Sequence, residues 1–181
     1  MSDAKKLSVM KLRSSNRMLV ILSLIFLLLG IYIILIGLSL IDINTQIIGE
    51  AVGMIIIAID AIFFISPIFS YHIMTPTRLI LRHGIQFRTE ISLKSILEIE
   101  KIEKSSGLPL VIGIGVKYSV IDKRYSVMRS HNGLVKVRIE KEMTLGWSIF
   151  PKSVKEFVFD TIDADDLIRR VLDSNSFEAD G

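Results

Sequence analysis

The sequence contains no cysteine, which excludes disulfide bonds, thiolate metal sites and cysteine nucleophiles. Histidine is scarce, and His72, His83 and His131 have neither i, i+4 pairing nor a carboxylate at ligand spacing. The sequence also lacks a phosphate-binding glycine loop, a dinucleotide-binding glycine motif and the nucleophile elbow of hydrolases. We therefore predict no metal site, no cofactor and no catalytic residue, and we expect the protein not to be an enzyme.

Charged residues are almost absent from two long segments in the first third of the chain. Residues 18–41 form a run of 24 without a charge. As a helix this run would be about 36 Å long, more than the roughly 30 Å of a bilayer core. A signal peptide fits poorly, because its apolar region spans about 7 to 15 residues and ends at a small-residue cleavage site. Residues 47–69 form a second span, in which Ile, Val and Phe outweigh the cost of two acids.

Asp60 lies near the middle of the second predicted span, where an ionisable side chain is a candidate for function. Two interpretations are open: the carboxyl group is hydrogen-bonded against the partner helix or a second copy, or it titrates in a small transport or gating subunit. Small residues recur at seven-residue intervals on both helices, which favours close packing with Asp60 between them. The predicted packing residues are Ser23, Gly30, Gly37, Gly49, Gly53 and Asp60.

The distribution of basic residues predicts the orientation of the hairpin. Residues 1–17 carry five basic side chains against one acidic one, and the loop between the spans has Asp42 as its charge. By the positive-inside rule, both termini are cytoplasmic. We predict a multi-pass protein of the cell membrane. The arm itself is expected to form either an interfacial helix on an anionic leaflet or a solvated tail.

After residue 69 apolar and polar residues alternate, which is typical of half-buried strands. In the segment 97–103, for example, Leu97 and Ile99 are expected to face inward. The last patterned segment is a helix, because Asp163 suits an N-cap and apolar residues then recur on one face as far as Val171. The sequence predicts an all-β domain, a meander of about seven antiparallel strands, capped by a C-terminal α-helix.

The first strands of this domain carry a resemblance to a known family. The residues concerned are Tyr71-x-x-x-Thr75-x-x-Arg78-Leu79-Ile80-Leu81-Arg82-x-Gly84, followed by Ile91-x-Leu93-x-x-Ile96. This pattern resembles the opening of the prokaryotic PH-like (pleckstrin-homology-like) domains that follow paired transmembrane helices in small membrane proteins. The resemblance covers residues 71–172. It implies a PH-like fold, a role in protein assembly or membrane contact, and no catalytic residues.

The resemblance also points to one connection between strands. In lipid-binding PH domains, basic residues around the first long connection hold phosphoinositide phosphates, and the comparable connection here is 82–88. One strand leaves the bilayer and the next returns by a similar distance at about 3.3 Å per residue, so this connection should lie near the leaflet. We predict lipid-headgroup contacts from Arg82 and Arg88, with Phe87 at the interface. The alternative is two solvated arginines at strand ends.

Several basic residues in the second half of the chain raise the question of nucleic-acid binding. Aromatic residues are poorly interleaved with them, and the predicted membrane anchor argues against such a partner. We predict solvated sheet faces and no nucleic acid. The residues concerned are Lys123, Arg124, Arg129, Lys136 and Arg138.

These predictions combine into one domain plan and three functional hypotheses. The domains are a basic cytoplasmic arm at 1–17, a hairpin at 18–69, a PH-like domain at 70–172 and an acidic flexible tail at 173–181. The first hypothesis is a membrane protein whose cytosolic domain is an interaction or assembly module for a protein partner or a second copy. The alternatives are anionic lipid binding through the connection 82–88 and a transport or gating role of Asp60.

Overall fold

A computed structural model gives the fold of the chain as two compact units. The structure describes residues 9–40, 42–102, 115–145 and 151–176. The helical unit consists of residues 16–70 and 84–86, and the β-rich unit contains the rest of the described chain. The prediction of two apolar helices, then a β-rich region and a closing helix, is confirmed.

The helical unit contains two long apolar segments. Its elements are α1 (Arg17–Ser39), α2 (Ile43–Asp60), a π-helical turn (Ala61–Ile65) and the short α3 (Ser66–Ile68). The segments 17–39 and 43–68 are both long and apolar enough to cross a membrane. The most apolar part of each is only 17% buried, which is unlike the core helices of a soluble protein.

The break between the two helices is shorter than predicted. Residues 43–46 belong to α2, because the Asp42 carboxylate accepts hydrogen bonds from the Thr45 N–H at 3.0 Å and the Thr45 hydroxyl at 2.6 Å. Such an N-cap provides a partner for an amide that the helix itself leaves unpaired. At the other side of the break, α1 ends at Ser39, two residues before the predicted end.

Four glycines allow the helices to approach closely. A Cβ atom on Gly53 would lie 2.8 Å from the backbone oxygen of Gly30, and a Cβ atom on Gly49 would lie 2.8 Å from the Cα atom of Gly37. Side chains at these positions would therefore meet the backbone of the opposite helix. Small residues serve this purpose widely in membrane helix pairs.

The β-rich unit contains two sheets. Its strands are β1 (Met10–Leu12), β2 (His72–Met74), β3 (Arg78–His83), β4 (Phe87–Ser92), β5 (Ile96–Ile102), β6 (Gly115–Ser119), β7 (Arg124–Met128), β8 (Leu134–Leu145) and β9 (Lys152–Asp160). The first sheet has the order β1-β2-β3-β4, and the second has the order β5-β8-β9-β7-β6.

The predicted meander of about seven antiparallel strands is wrong in the number and order of its strands. The described residues form nine strands, and β7 pairs in parallel with β9. β8 pairs with β5, so the hairpin of β6 and β7 is displaced to the far side of β9. The alternation of polar and apolar residues predicts which face of a strand is buried, but it does not predict the neighbouring strand.

The segment before α1 forms a strand, whereas an interfacial helix or a solvated tail was predicted. β1 pairs antiparallel with β2, with Leu12 opposite His72, and Leu12 is fully buried in the core. The next residue, Arg13, donates its backbone N–H to Asp163 at 2.9 Å. Since β1 leads into α1 and β2 follows α3, the two flanks of the helical hairpin run side by side in one sheet.

The core of the β-rich unit lies between the two sheets and is closed by α4 (Ala164–Ser176). This helix contributes Ala164, Leu167 and Val171, which are at most 1% exposed. It continues to Ser176, so residues 173–176 are helical and do not belong to the predicted flexible tail. Residues 177–181 of that tail lie outside the described residues.

Candidate functional site

Asp60 has no exposed surface within the helical unit. Its Oδ2 atom accepts a hydrogen bond from the Ser23 hydroxyl at 3.1 Å, while Oδ1 has no hydrogen-bond partner among the described residues. Among the described residues of both helices, Ser23 is the one other buried polar side chain. The structure thus brings Ser23 and Asp60 together as a helix-packing contact, without a chain of polar groups leading away from it.

The helix changes its hydrogen bonding directly after Asp60. In the π-helical turn the Ser66 N–H donates to the oxygen of Ala61, whereas a regular α-helix would pair it with the oxygen of Ile62. The Gln86 side-chain amide donates to that Ile62 oxygen at 2.9 Å. A carbonyl group that is removed from water without a hydrogen-bond partner costs about 1 to 3 kcal/mol, so the bond from Gln86 stabilises the irregular turn.

Gln86 belongs to the connection between β3 and β4, here called the 84–86 turn, which lies against the last helical turns. The Gly84 N–H donates to the Ser70 hydroxyl at 3.0 Å, and the Ile85 N–H donates to the Ser66 hydroxyl at 2.8 Å. Gly84 has a φ of 56°, and a Cβ atom there would lie 2.9 Å from the Pro67 nitrogen. Glycine alone satisfies both conditions. Sequence patterns did not reveal this anchoring, because Ser66 and Gln86 are far apart in the chain.

The two predicted headgroup-binding arginines flank this turn in the sequence. Arg82 in β3 and Arg88 in β4 are directly opposite each other. The Arg88 guanidinium forms an ion pair with Glu90 at 2.8 Å, and its side chain remains 58% exposed. The two predicted cations thus lie on one hairpin. The charge of Arg88 is partly balanced by the carboxylate of Glu90.

The prediction that Phe87 lies at the membrane interface is wrong. Its side chain is 6% exposed, and its ring packs against the Tyr125 ring with centroids 5.2 Å apart. Alternate residues of a strand point to opposite faces, so an outward Arg88 places Phe87 in the core. The exposed apolar side chain of this region is that of Ile85, at 68%.

A cluster of buried polar residues, which the sequence did not predict, lies in the core of the β-rich unit. His72, His83, Arg129 and Asp160 are all at most 1% exposed. The Asp160 carboxylate accepts a hydrogen bond from the Arg129 N–H at 2.7 Å. Nε2 of His72 and Nδ1 of His83 have no hydrogen-bond partner among the described residues. The one signal of this cluster in the sequence is Asp160, a charged residue that directly follows the apolar residues of β9.

Burial keeps both histidines neutral. Burial, reinforced by the positive charge of Arg129, lowers the pKa of His83 to about 4. Burial also lowers the pKa of His72 well below its ordinary value, with smaller contributions from Arg129 and His83. Burial raises the pKa of Asp160 and lowers the pKa of Arg129, while the attraction between these two groups opposes both shifts.

The basic residues considered for nucleic-acid binding are paired or buried. Arg129 lies in the core, and each of the other four has a carboxylate partner. These pairs are Lys123–Glu142, Arg124–Asp122, Lys136–Glu100 and Arg138–Glu98. Their charge is therefore largely balanced within the sheet.

No group of three or more His, Asp or Glu side chains in the described chain could hold a metal ion.

Comparison with known proteins found no matching family model, no matching curated protein and no matching solved structure.

We predict that acidification destabilises the β-rich unit. The folded pKa of His83 is about 4 and its ordinary value is 6.5, so the unfolded chain binds more protons between these values. The stabilisation is complete above about pH 6.5 and is lost as the pH falls through about 4. At about 1.4 kcal/mol per pKa unit it amounts to about 3.5 kcal/mol. Urea unfolding of the full chain in detergent, followed by circular dichroism between pH 4 and pH 7.5, measures it.

Two variants separate this effect from general acid sensitivity. His83→Gln removes the titrating group and should show a shallower dependence of unfolding free energy on pH. His131→Gln changes an exposed histidine and should match the wild type. An unchanged slope in His83→Gln would contradict the explanation.

Proposed function

We propose that the protein is a two-span membrane protein that presents its β-rich domain at the cytoplasmic face as an interaction or assembly module. The pairing of β1 with β2 carries this proposal, because it connects the domain to the hairpin through both flanks. A domain connected in this way stays attached to the hairpin. The basic residues before α1 favour the cytoplasmic side.

The domain itself is proposed to be a PH-like module. Two packed sheets followed by one C-terminal amphipathic helix support this assignment, together with the motif that starts at Tyr71. The parallel pairing of β7 with β9 is a departure from a simple meander. A module of this kind acts by binding rather than by chemistry.

Exposed aliphatic side chains offer contacts for a partner. Val120 and Ile121, at the tip between β6 and β7, are 76% and 95% exposed, and Leu172 on α4 is 57% exposed. Two adjacent aliphatic side chains at a hairpin tip have no role in the core of the domain. They are therefore candidate contacts for a protein partner or a second copy.

Site-specific crosslinking in native membranes tests whether the β-rich domain binds a protein partner or a second copy. Since the chain has no cysteine, Ile121→Cys or Leu172→Cys carries a single photoactivatable crosslinker, and the wild type is a blank. We expect a discrete protein adduct from at least one position. An added Val120→Asp substitution should remove the Ile121 adduct. Adducts at neither position would contradict the proposal.

A second candidate function is binding of anionic lipid headgroups by Arg82 and Arg88. The observation that favours it is the bonding of the intervening 84–86 turn to the last turns of the membrane helix. Each cation near an anionic surface contributes about 1 kcal/mol, or about five-fold in association.

Spin-labelled lipids test this candidate in the reconstituted full chain. Arg82→Gln with Arg88→Gln should lower the preference for phosphatidylglycerol over phosphatidylcholine several-fold. Lys141→Gln, at an exposed position on β8, is the matched control and should leave the preference unchanged. Equal preferences in the double variant and the wild type would eliminate headgroup binding at this hairpin.

A further inference from the structure

We propose that the 84–86 turn is embedded in the membrane, with the Ile85 side chain inserted among lipids beside the end of the second span. This inference rests on the proposed function, since it requires the segment 43–68 to cross a bilayer. Its partner is the lipid at the boundary between headgroups and acyl chains.

Hydrogen bonds fix how far along the helix the turn lies. Gln86 reaches the oxygen of Ile62, and the Ile85 N–H reaches the Ser66 hydroxyl. The helix ends at Ile68, so Ile62 is six residues and Ser66 two residues before its end. At about 1.5 Å per residue these positions are about 9 Å and about 3 Å from the end.

The length of the helix converts these positions into depths. The segment 43–68 has 26 residues. It is therefore about 39 Å long, against about 30 Å for the hydrocarbon core and about 40 to 45 Å with the headgroups. When it is centred in the bilayer, about 4 to 5 Å at each end lies among the headgroups. Ser66 is then at headgroup depth, Ile62 is just inside the hydrocarbon, and the turn lies across the boundary.

The chemistry of the turn suits this location. Backbone polar groups that enter a membrane need partners, and the hydroxyls of Ser70 and Ser66 accept the N–H groups of Gly84 and Ile85. The side-chain amide of Gln86 is paired as well. In contrast, the Ile85 side chain is 68% exposed, and the side chain of Phe69, directly after α3, is 75% exposed. These apolar side chains extend the lipid-facing surface of the span.

Spin labels on single cysteines test the inference directly, because the chain has no cysteine of its own. Ile85→Cys, Leu28→Cys and Glu140→Cys are each labelled and reconstituted in vesicles of phosphatidylcholine and phosphatidylglycerol. Leu28 is an exposed side chain in the middle of α1, and Glu140 is an exposed charged residue on β8. Collisions of each label with oxygen, which concentrates in lipid, and with a water-soluble nickel chelate are compared.

The expected result is a label at Ile85 with oxygen and nickel accessibilities between those of Leu28 and Glu140, and with several-fold lower nickel accessibility than Glu140. High nickel accessibility at Ile85 with a lipid-exposed Leu28 would overturn the inference and leave the membrane span intact. Low accessibility to both reagents at Ile85 would also overturn it, since a protein would then cover the turn. High nickel accessibility at Leu28 would instead refute the proposed function.

Discussion

The antiparallel pairing of β1 with β2 is the constraint on which the rest of the structure depends. In sequence, almost sixty residues separate these neighbouring strands, and they contain both apolar helices. The helical hairpin thus connects β1 to β2 along the chain, as a turn connects the strands of a β-hairpin. Leu12 completes the core from the N-terminal side, and Arg13 binds Asp163 just before α4. The β-rich unit is therefore incomplete without residues that precede α1.

In both units, several polar groups in apolar surroundings have partners that are distant in sequence. Ser23 donates to Asp60, and Gln86 donates to the carbonyl that the π-helical turn releases. On the outer face of the second sheet, charges alternate across four strands in register, in the order Glu98, Arg138, Glu156 and Arg124. This row matches the observed strand order, in which β7 and β9 are neighbours.

Patterns of neighbouring residues in the sequence predicted those features that depend on interactions between residues close together in the chain. The N-terminus of α4 and the small residues between the helices were both predicted from the sequence. Three residues are too few to show a period, so β1 was missed. A bulge between Ile96 and Glu98 turns Leu97 outward, to 64% exposure, although it was predicted to face the core. Contacts between residues that are distant in the chain, such as those of the cluster that contains His72 and His83, produce no periodic pattern in the sequence and were therefore not predicted.

The most direct test of the account is an engineered disulfide between Lys11→Cys and Ile73→Cys, which are directly opposite each other in β1 and β2. Side chains opposite each other in such a pair have Cβ atoms about 4.5 to 5.5 Å apart, close enough for a bridge after small adjustments. Mild oxidation of the full chain in membranes, read by mass spectrometry of linked peptides, should give this bridge in high yield. Lys11→Cys with Thr75→Cys, two residues out of register, should give much less. Equal yields from the two pairs would contradict the pairing of the hairpin's flanks.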